Sequence, residues 1–244
     1  RDHPARDQAH PSLARKEERQ ERRVSTRAAH AARRPAHRQG AAALPPAFFA
    51  RDTEIVAREL LGCVLECHSP EGIANGRIVE TEAYIGEHDL ACHAAAGRTK
   101  RTEPLYGPPG LSYVYFIYGV HWCFNAVTRA AGQPSAVLVR AIEPLDGVEL
   151  MRRRRPAARR DVDLTNGPGK LCAALGIGER HNALALDRPP LVIREGVAVA
   201  SGRVQITPRI GITRCADWPL RWIVADSPYV SRTPPTFSRR GAES

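Results

Sequence analysis

From Phe48 onward, apolar and polar positions recur along the chain with two different periods. In TEIVARELLG, residues 53–62, Ile55, Val56, Leu60 and Leu61 fall on one helical face, with Thr53 as the candidate N-cap and Gly62 as the stop, which predicts a short amphipathic helix. Strand-like runs follow, each bounded by Gly, Pro or Asn: Arg77–Tyr84, Ser112–Tyr118, Phe124–Thr128, Ala136–Ile142, Pro190–Arg194, Val204–Ile206 and Leu220–Val224. A second helix is predicted from Pro168 through Leu175, stopped by Gly176. Strands outnumber helices without regular βα alternation, and no internal repeat is visible. The pattern therefore predicts an α+β fold: a single domain with a mixed, mainly antiparallel sheet, flanking helices and a protruding β-hairpin.

Residues 1–46 lack this texture. They contain no aromatic residue and only Leu13, Val24 and Leu44 among the Leu, Val and Ile positions, against eleven Lys+Arg and five Asp+Glu. Such a segment cannot bury enough apolar surface to offset its ordering entropy. It is predicted to be a disordered basic arm ending in the Leu44-Pro45-Pro46 linker, with the domain over residues 47–232 and a disordered tail over 233–244. Five acids (Asp2, Asp7, Glu17, Glu18, Glu21) argue against a transit peptide.

Charge changes this picture only in part. The 244 residues carry 36 Lys+Arg and 26 Asp+Glu, a formal +10, which points first to a polyanion such as nucleic acid. The arm, however, holds +6 of it (eleven minus five), leaving +4 (25 minus 21) on the rest of the chain. The arm reads equally well as a phosphate tether or as a solvated extension. No apolar run approaches the roughly 18 residues that span a bilayer, so a soluble intracellular protein is expected, cytoplasmic or nucleoid-associated in a bacterium and nuclear in a eukaryote. The six cysteines (63, 67, 92, 123, 172, 215) form no CxxC pair. Cys63 and Cys67 have no second ligand pair at zinc-site spacing, so reduced, mostly buried thiols are expected rather than a metal site.

Two segments carry candidate chemistry. Seven of the 14 aromatic residues (Tyr106, Tyr113, Tyr115, Phe116, Tyr118, Trp122, Phe124) fall between 106 and 124. That segment is either an aromatic core strand or a surface for stacking flat ligands. Strand periodicity puts Tyr113, Tyr115 and Ile117 on one face, while Tyr118, just before Gly119, stands at a turn tip where its ring is free to wedge between bases. In Ile78-Val79-Glu80-Thr81-Glu82-Ala83-Tyr84, the residues Glu80, Glu82 and Tyr84 share a face. Two carboxylates and a phenol are costly to bury, so that face is wet, paired or catalytic. His93 follows nine residues after Tyr84, completing a set suited to acid or base work beside a stacked ring.

Taken together, Arg77-Ile78-Val79-Glu80-Thr81-Glu82-Ala83-Tyr84, Ala91-Cys92-His93, Gly110 to Gly119, Asn125, Val139-Arg140-Ala141-Ile142-Glu143-Pro144-Leu145 and Asn166-Gly167-Pro168-Gly169-Lys170-Leu171 resemble the alkyladenine (3-methyladenine) DNA glycosylase family, in order over about residues 48–232. The resemblance implies a monofunctional base-excision enzyme without metal or other cofactor, acting as a monomer on double-stranded DNA that contains damaged purines. It implies Glu82 as the general base for the attacking water and Arg140 as its neighbour. Tyr84, His93 and Tyr115 would enclose the flipped base. Asn125 would form a pocket floor that disfavours guanine through its exocyclic amine. Tyr118 would be the intercalating wedge, and the backbone near Ile210 would position water. Ala94-Ala95-Ala96-Gly97 is plainer than the family pattern, which leaves the lesion range open.

Gly167-Pro168-Gly169-Lys170 lacks the GK[ST] ending of an ATP loop, and Lys170 at a helix start reads instead as a DNA-phosphate contact or a cap. Six arginines between 152 and 160 read as a solvated loop or as further phosphate contacts. Two rivals to the glycosylase remain at this level: a non-catalytic binder of damaged DNA, and a metal-dependent nuclease using Glu80, Glu82 and Asp89.

Overall fold

The computed structural model describes residues 41–231. The tail predicted over 233–244, and the arm apart from its last six residues, lie outside this range. Ala41–Pro46 is not an arm: Leu44 is buried, its N–H donates to the Ile193 carbonyl at 2.8 Å, and the Glu195 N–H donates back to the Ala42 carbonyl at 2.8 Å. The segment is held by backbone pairing to a strand some 150 residues away, which its own composition does not encode.

Two short helices open the domain, α1 (Pro46–Phe49) and α2 (Thr53–Glu59). Strands β1 (Val64–Ser69) and β2 (Gly72–Tyr84) follow, then the hairpin β3 (Ser112–Ile117) and β4 (His121–Val127), and β5 (Ala136–Pro144). Helices α3 (Val148–Arg154), α4 (Val162–Thr165) and α5 (Pro168–Leu175) precede the short strands β6 (Asp187–Arg188), β7 (Leu191–Arg194), β8 (Val204–Thr207) and β9 (Arg221–Val224). The nine strands form one sheet in the order β3-β4-β5-β2-β1-β7-β6, with β9 joining β2 and β8. Every pairing among the described residues is antiparallel.

β2 is the organising strand. Its first half pairs with β1 and its last part, Glu80–Glu82, pairs with β9, while β5 runs along its other edge. The β2–β5 register shifts around Glu80, a bulge of the kind that bends a strand and re-aims its side chains. Helices α2 and α5 cover the sheet, and Phe49, Leu60, Ile78, Phe124, Ile142 and Leu171 fill the core between the layers.

Three local expectations are corrected. The cap of α2 is Asp52, whose Oδ1 accepts from the Glu54 N–H at 2.9 Å; the Thr53 hydroxyl is used instead inside the core, 3.0 Å from that of Thr128. β1 went unpredicted because Glu66 breaks its apolar run, yet Glu66 is buried and held by Arg194 at 3.0 Å from β7. Half of the arginine run is helical, since Leu150 and Met151 bury one face of α3 and turn Arg152 and Arg153 outward.

Candidate active site

Glu82 lies near the end of β2 and is fully buried. Its Oε1 accepts the Ile210 N–H at 2.9 Å, and its Oε2 accepts the Tyr84 hydroxyl at 3.0 Å and Arg140 Nη1 at 3.2 Å. A buried carboxylate needs this many donors to remain charged. Arg140, on β5, also reaches Glu80 through Nε at 2.9 Å. Glu80 in turn accepts from Arg221 Nε at 2.8 Å and from the Ser231 hydroxyl and N–H at 2.7 and 2.6 Å. The face that carries Glu80, Glu82 and Tyr84 is therefore paired throughout. Burial alone would lower the pKa of Arg140, but Glu82 and then Glu80 outweigh it and raise it, so the guanidinium is permanently charged.

A cavity of about 270 Å³ opens beside this network. Tyr84, His93, Tyr113, Tyr115, Asn125, Arg140 and Ile210 line it, with Tyr118 and His121 on the hairpin side and Pro168 and Gly169 from the start of α5. Glu82 itself is one layer back: each of its three donors belongs to a lining residue. His93 packs edge to face on Tyr115 with centroids 4.5 Å apart, and Tyr113 and Tyr115 form a tilted pair with centroids 5.2 Å apart. The Asn125 amide donates to the Tyr113 carbonyl at 3.0 Å, which fixes its orientation. Burial, then Glu82 and Tyr115, pushes the Tyr84 hydroxyl well above the usual tyrosine range, and burial first of all does the same at Tyr115. Both phenols stay neutral donors.

His93 Nδ1 is 2.8 Å from the Tyr113 hydroxyl. Burial, reinforced by Arg101, lowers the His93 pKa below 6.5, so the ring is neutral at pH 7. Because the unfolded chain then binds more protons than the fold, this group's contribution to stability is complete above pH 6.5 and is lost as pH falls through the lowered value. His93→Gln should accordingly reduce the drop in Tm between pH 7 and about pH 5. An unchanged drop, followed by thermal melts at both pH values, would contradict the assignment.

The hairpin ends in a turn in which Tyr118 and Gly119 both have positive φ (53° and 68°), closed by a 3.3 Å bond from the Val120 N–H to the Ile117 carbonyl. Positive φ is a conformation that favours Asn and Gly, and Tyr118 adopts it while 79% exposed. Lys170, in the first turn of α5, is outside the cavity; it donates to Asn166 Oδ1 at 2.8 Å and lines a separate shallow recess with Arg155, Arg159, Arg160 and Asp163. Much of the arginine run is bound locally: Arg152 to Asp161, Arg154 to Glu71, Arg155 to the carbonyls of residues 163 and 164, and Arg160 to Asp163.

The structure thus gathers Glu82, Arg140, Tyr84, His93, Tyr115, Asn125, Ile210 and Tyr118 about one cavity and leaves Lys170 to its side. The sequence reading missed Tyr113 as the partner of His93, Ser231 and Arg221 as partners of Glu80, and the buried pair Asp89–Arg209. The rival grouping of Glu80, Glu82 and Asp89 as metal ligands meets a different arrangement: Arg140 joins the first two and Arg209 takes the third, and among the described residues no three His, Cys, Asp or Glu side chains are grouped to hold an ion. All six cysteines are free, five of them buried. No helix of the described residues is long and apolar enough to cross a membrane.

Residues 47–228 match the family model described as Methylpurine-DNA glycosylase (MPG). A Myxococcus xanthus protein is 50% identical over 202 residues, 82% of this chain and 98% of its own length. A Koribacter versatilis protein is 49% identical over 194 residues (78% and 93%), and one from Methanoculleus marisnigri is 46% identical over 192 residues (78% and 98%). All three carry the provisional name 3-methyladenine DNA glycosylase. The chain is a DNA glycosylase, a hydrolase of N-glycosyl bonds. It belongs to the methylpurine-DNA glycosylase family.

Proposed function

We propose that the protein turns a damaged purine nucleotide out of double-stranded DNA into the aromatic cavity and hydrolyses its N-glycosidic bond, leaving an abasic site. The observation that carries this reading is the seating of Glu82 behind Tyr84, Arg140 and Ile210, each of which both bonds it and lines the cavity. A water bound at that junction lies between a carboxylate that can take its proton and the sugar of a base held by the rings. For Glu82 to reach it, the Tyr84 hydroxyl must release Oε2, a rotation of one side chain.

Extruding a base costs a few kcal/mol of stacking and pairing, and a ring inserted in its place recovers part of that while slowing return. Tyr118 is suited to this by its exposure. A methylated purine is often cationic, so its bond to the sugar is already weakened, and a held water with a carboxylate suffices. Cation–π attraction contributes less than the ring count suggests, because Arg209 lies 4.7 Å from the Tyr84 centroid and Arg101 5.6 Å from that of Tyr115. In the tautomer with its proton on Nε2, His93 accepts from Tyr113 and keeps one donor for a base edge. Asn125 forms the floor that disfavours guanine, and Lys170 contacts a flanking phosphate.

The test is incubation with duplexes carrying 3-methyladenine, 7-methylguanine, hypoxanthine or etheno-adenine, followed by alkaline cleavage at abasic sites. Cleavage at the methylpurines only after alkali is expected; no cleavage at any of the four, or strand scission without alkali, would overturn the reading. For the wedge, Tyr118→Asn should stabilise the fold by up to about 1 kcal/mol, because Asn tolerates positive φ, while weakening binding to lesion duplex. Unchanged binding would remove Tyr118 from the interface.

A further inference from the structure

We propose that Asp89 and Arg209 are positioning residues for the excision, a claim that rests on the reading of Glu82 as the general base. Both side chains are fully buried. Arg209 grips Asp89 with both arms, Nη1 to Oδ2 at 2.5 Å and Nη2 to Oδ1 at 2.8 Å. The pair joins the three segments that build the reacting end of the cavity. Arg209 Nη1 also donates to the carbonyl of Ala83 at 3.0 Å, the residue between Glu82 and Tyr84, and its guanidinium lies against the Tyr84 ring. Its own neighbour Ile210 supplies the N–H that holds Glu82. Asp89 accepts from the N–H groups of Ile85 and Ala91 at 3.3 and 3.1 Å, fixing the turn that leads to His93.

What makes this arrangement necessary is the lack of regular structure around Ile210. Residues 208–220 lie between β8 and β9 with no helix and no strand, so no ladder sets where the Ile210 N–H points. Arg209 supplies that reference by tying the loop to the backbone of β2 one residue beyond the carboxylate. Fastening a loop does not by itself require a buried ion pair, for which apolar packing is often equal or better. A forked, planar contact provides direction, which packing does not.

The consequence is specific. If Arg209 loosens, the Ile210 N–H is no longer aimed at Glu82, and the carboxylate loses one of the three donors that orient it. The groups that face Glu82 are Tyr84 and Glu80 on its own strand, Arg140 on β5, Tyr115 and Cys123 on β3 and β4, and Arg209 and the Ile210 N–H on the loop; Arg221 of β9 is spent on Glu80. Arg209 reaches two of them, the Ile210 N–H through the chain and the Tyr84 ring directly.

The experiment is single-turnover release of methylpurines from dimethyl sulfate-treated duplex DNA across pH, with duplex binding and thermal melting in parallel, for Arg209→Lys and Asp89→Asn. Lys keeps a charge for Asp89 but cannot hold both its oxygens and the Ala83 carbonyl while covering the Tyr84 ring. The expected result for Arg209→Lys is a folded protein with binding within about 3-fold and a rate roughly 10- to 100-fold lower at every pH tested. A wild-type rate in folded Arg209→Lys, or a loss of rate no larger than the unfolded fraction or the loss of binding explains, would overturn the proposal; should Arg209→Lys not fold, Asp89→Asn is read by the same criteria. Glu82→Gln run alongside separates the two claims. If it keeps the wild-type rate, the reading of Glu82 falls; if it is inactive while Arg209→Lys is fully active, only the positioning role does.

Discussion

Arg140→Ala is expected to destabilise the fold by about 3–5 kcal/mol, the range found when one partner is removed from a buried ion network. Among the described residues Arg140 alone contacts both Glu80 and Glu82 through a guanidinium, and both carboxylates are fully buried. Without it, Glu80 keeps Arg221 and Ser231, whereas Glu82 is left with two neutral donors, Tyr84 and the Ile210 N–H, beside a like charge. Native stabilities lie near 5–15 kcal/mol, so the loss is a large share of the total. At roughly 2–4 °C per kcal/mol for a domain of this size, Tm should fall by about 10 °C. Arg140→Lys retains the charge but not the fork and should fall between the two. A Tm for Arg140→Ala within about 2 °C of the unmodified protein, measured by calorimetry, would mean that the network contributes little.

The parts of this site legible in the sequence are those encoded locally. Alternation along β2 places Glu80, Glu82 and Tyr84 together, and the same rule separates Tyr113, Tyr115 and Ile117, which line the cavity, from Val114, which packs in the core. Gly176 ends α5 in the left-handed conformation its position suggested. What was not legible depends on partners far along the chain. Glu66 is buried because Arg194 meets it 128 residues later, and Asp89 because Arg209 meets it 120 residues later. Leu44 is ordered by pairing with β7, although everything before it is depleted in apolar residues. Likewise the arginines of 152–160 look like one block of charge, but Glu71, Asp161 and Asp163 divide them into separate contacts. A residue pattern reports which face is buried; it does not report what a buried charge is paired with.

Glu82→Gln should have the largest effect on activity. The amide is nearly isosteric, still accepts one bond, and leaves the Tyr84, His93 and Tyr115 rings in place, so recognition of the damaged base should persist. It cannot take a proton from water at neutral pH. General-base catalysis is worth roughly 10²- to 10⁴-fold, and the excision rate should fall by that factor. Since the gap between binding and chemistry is what distinguishes a hydrolase from a binder of damaged DNA, the two must be measured together, on the same duplex carrying a single 7-methylguanine. Glu82→Gln is expected to bind this duplex within about 3-fold of the unmodified protein while its single-turnover release of 7-methylguanine drops by at least about 100-fold. Release at the original rate by a protein that still binds would contradict it.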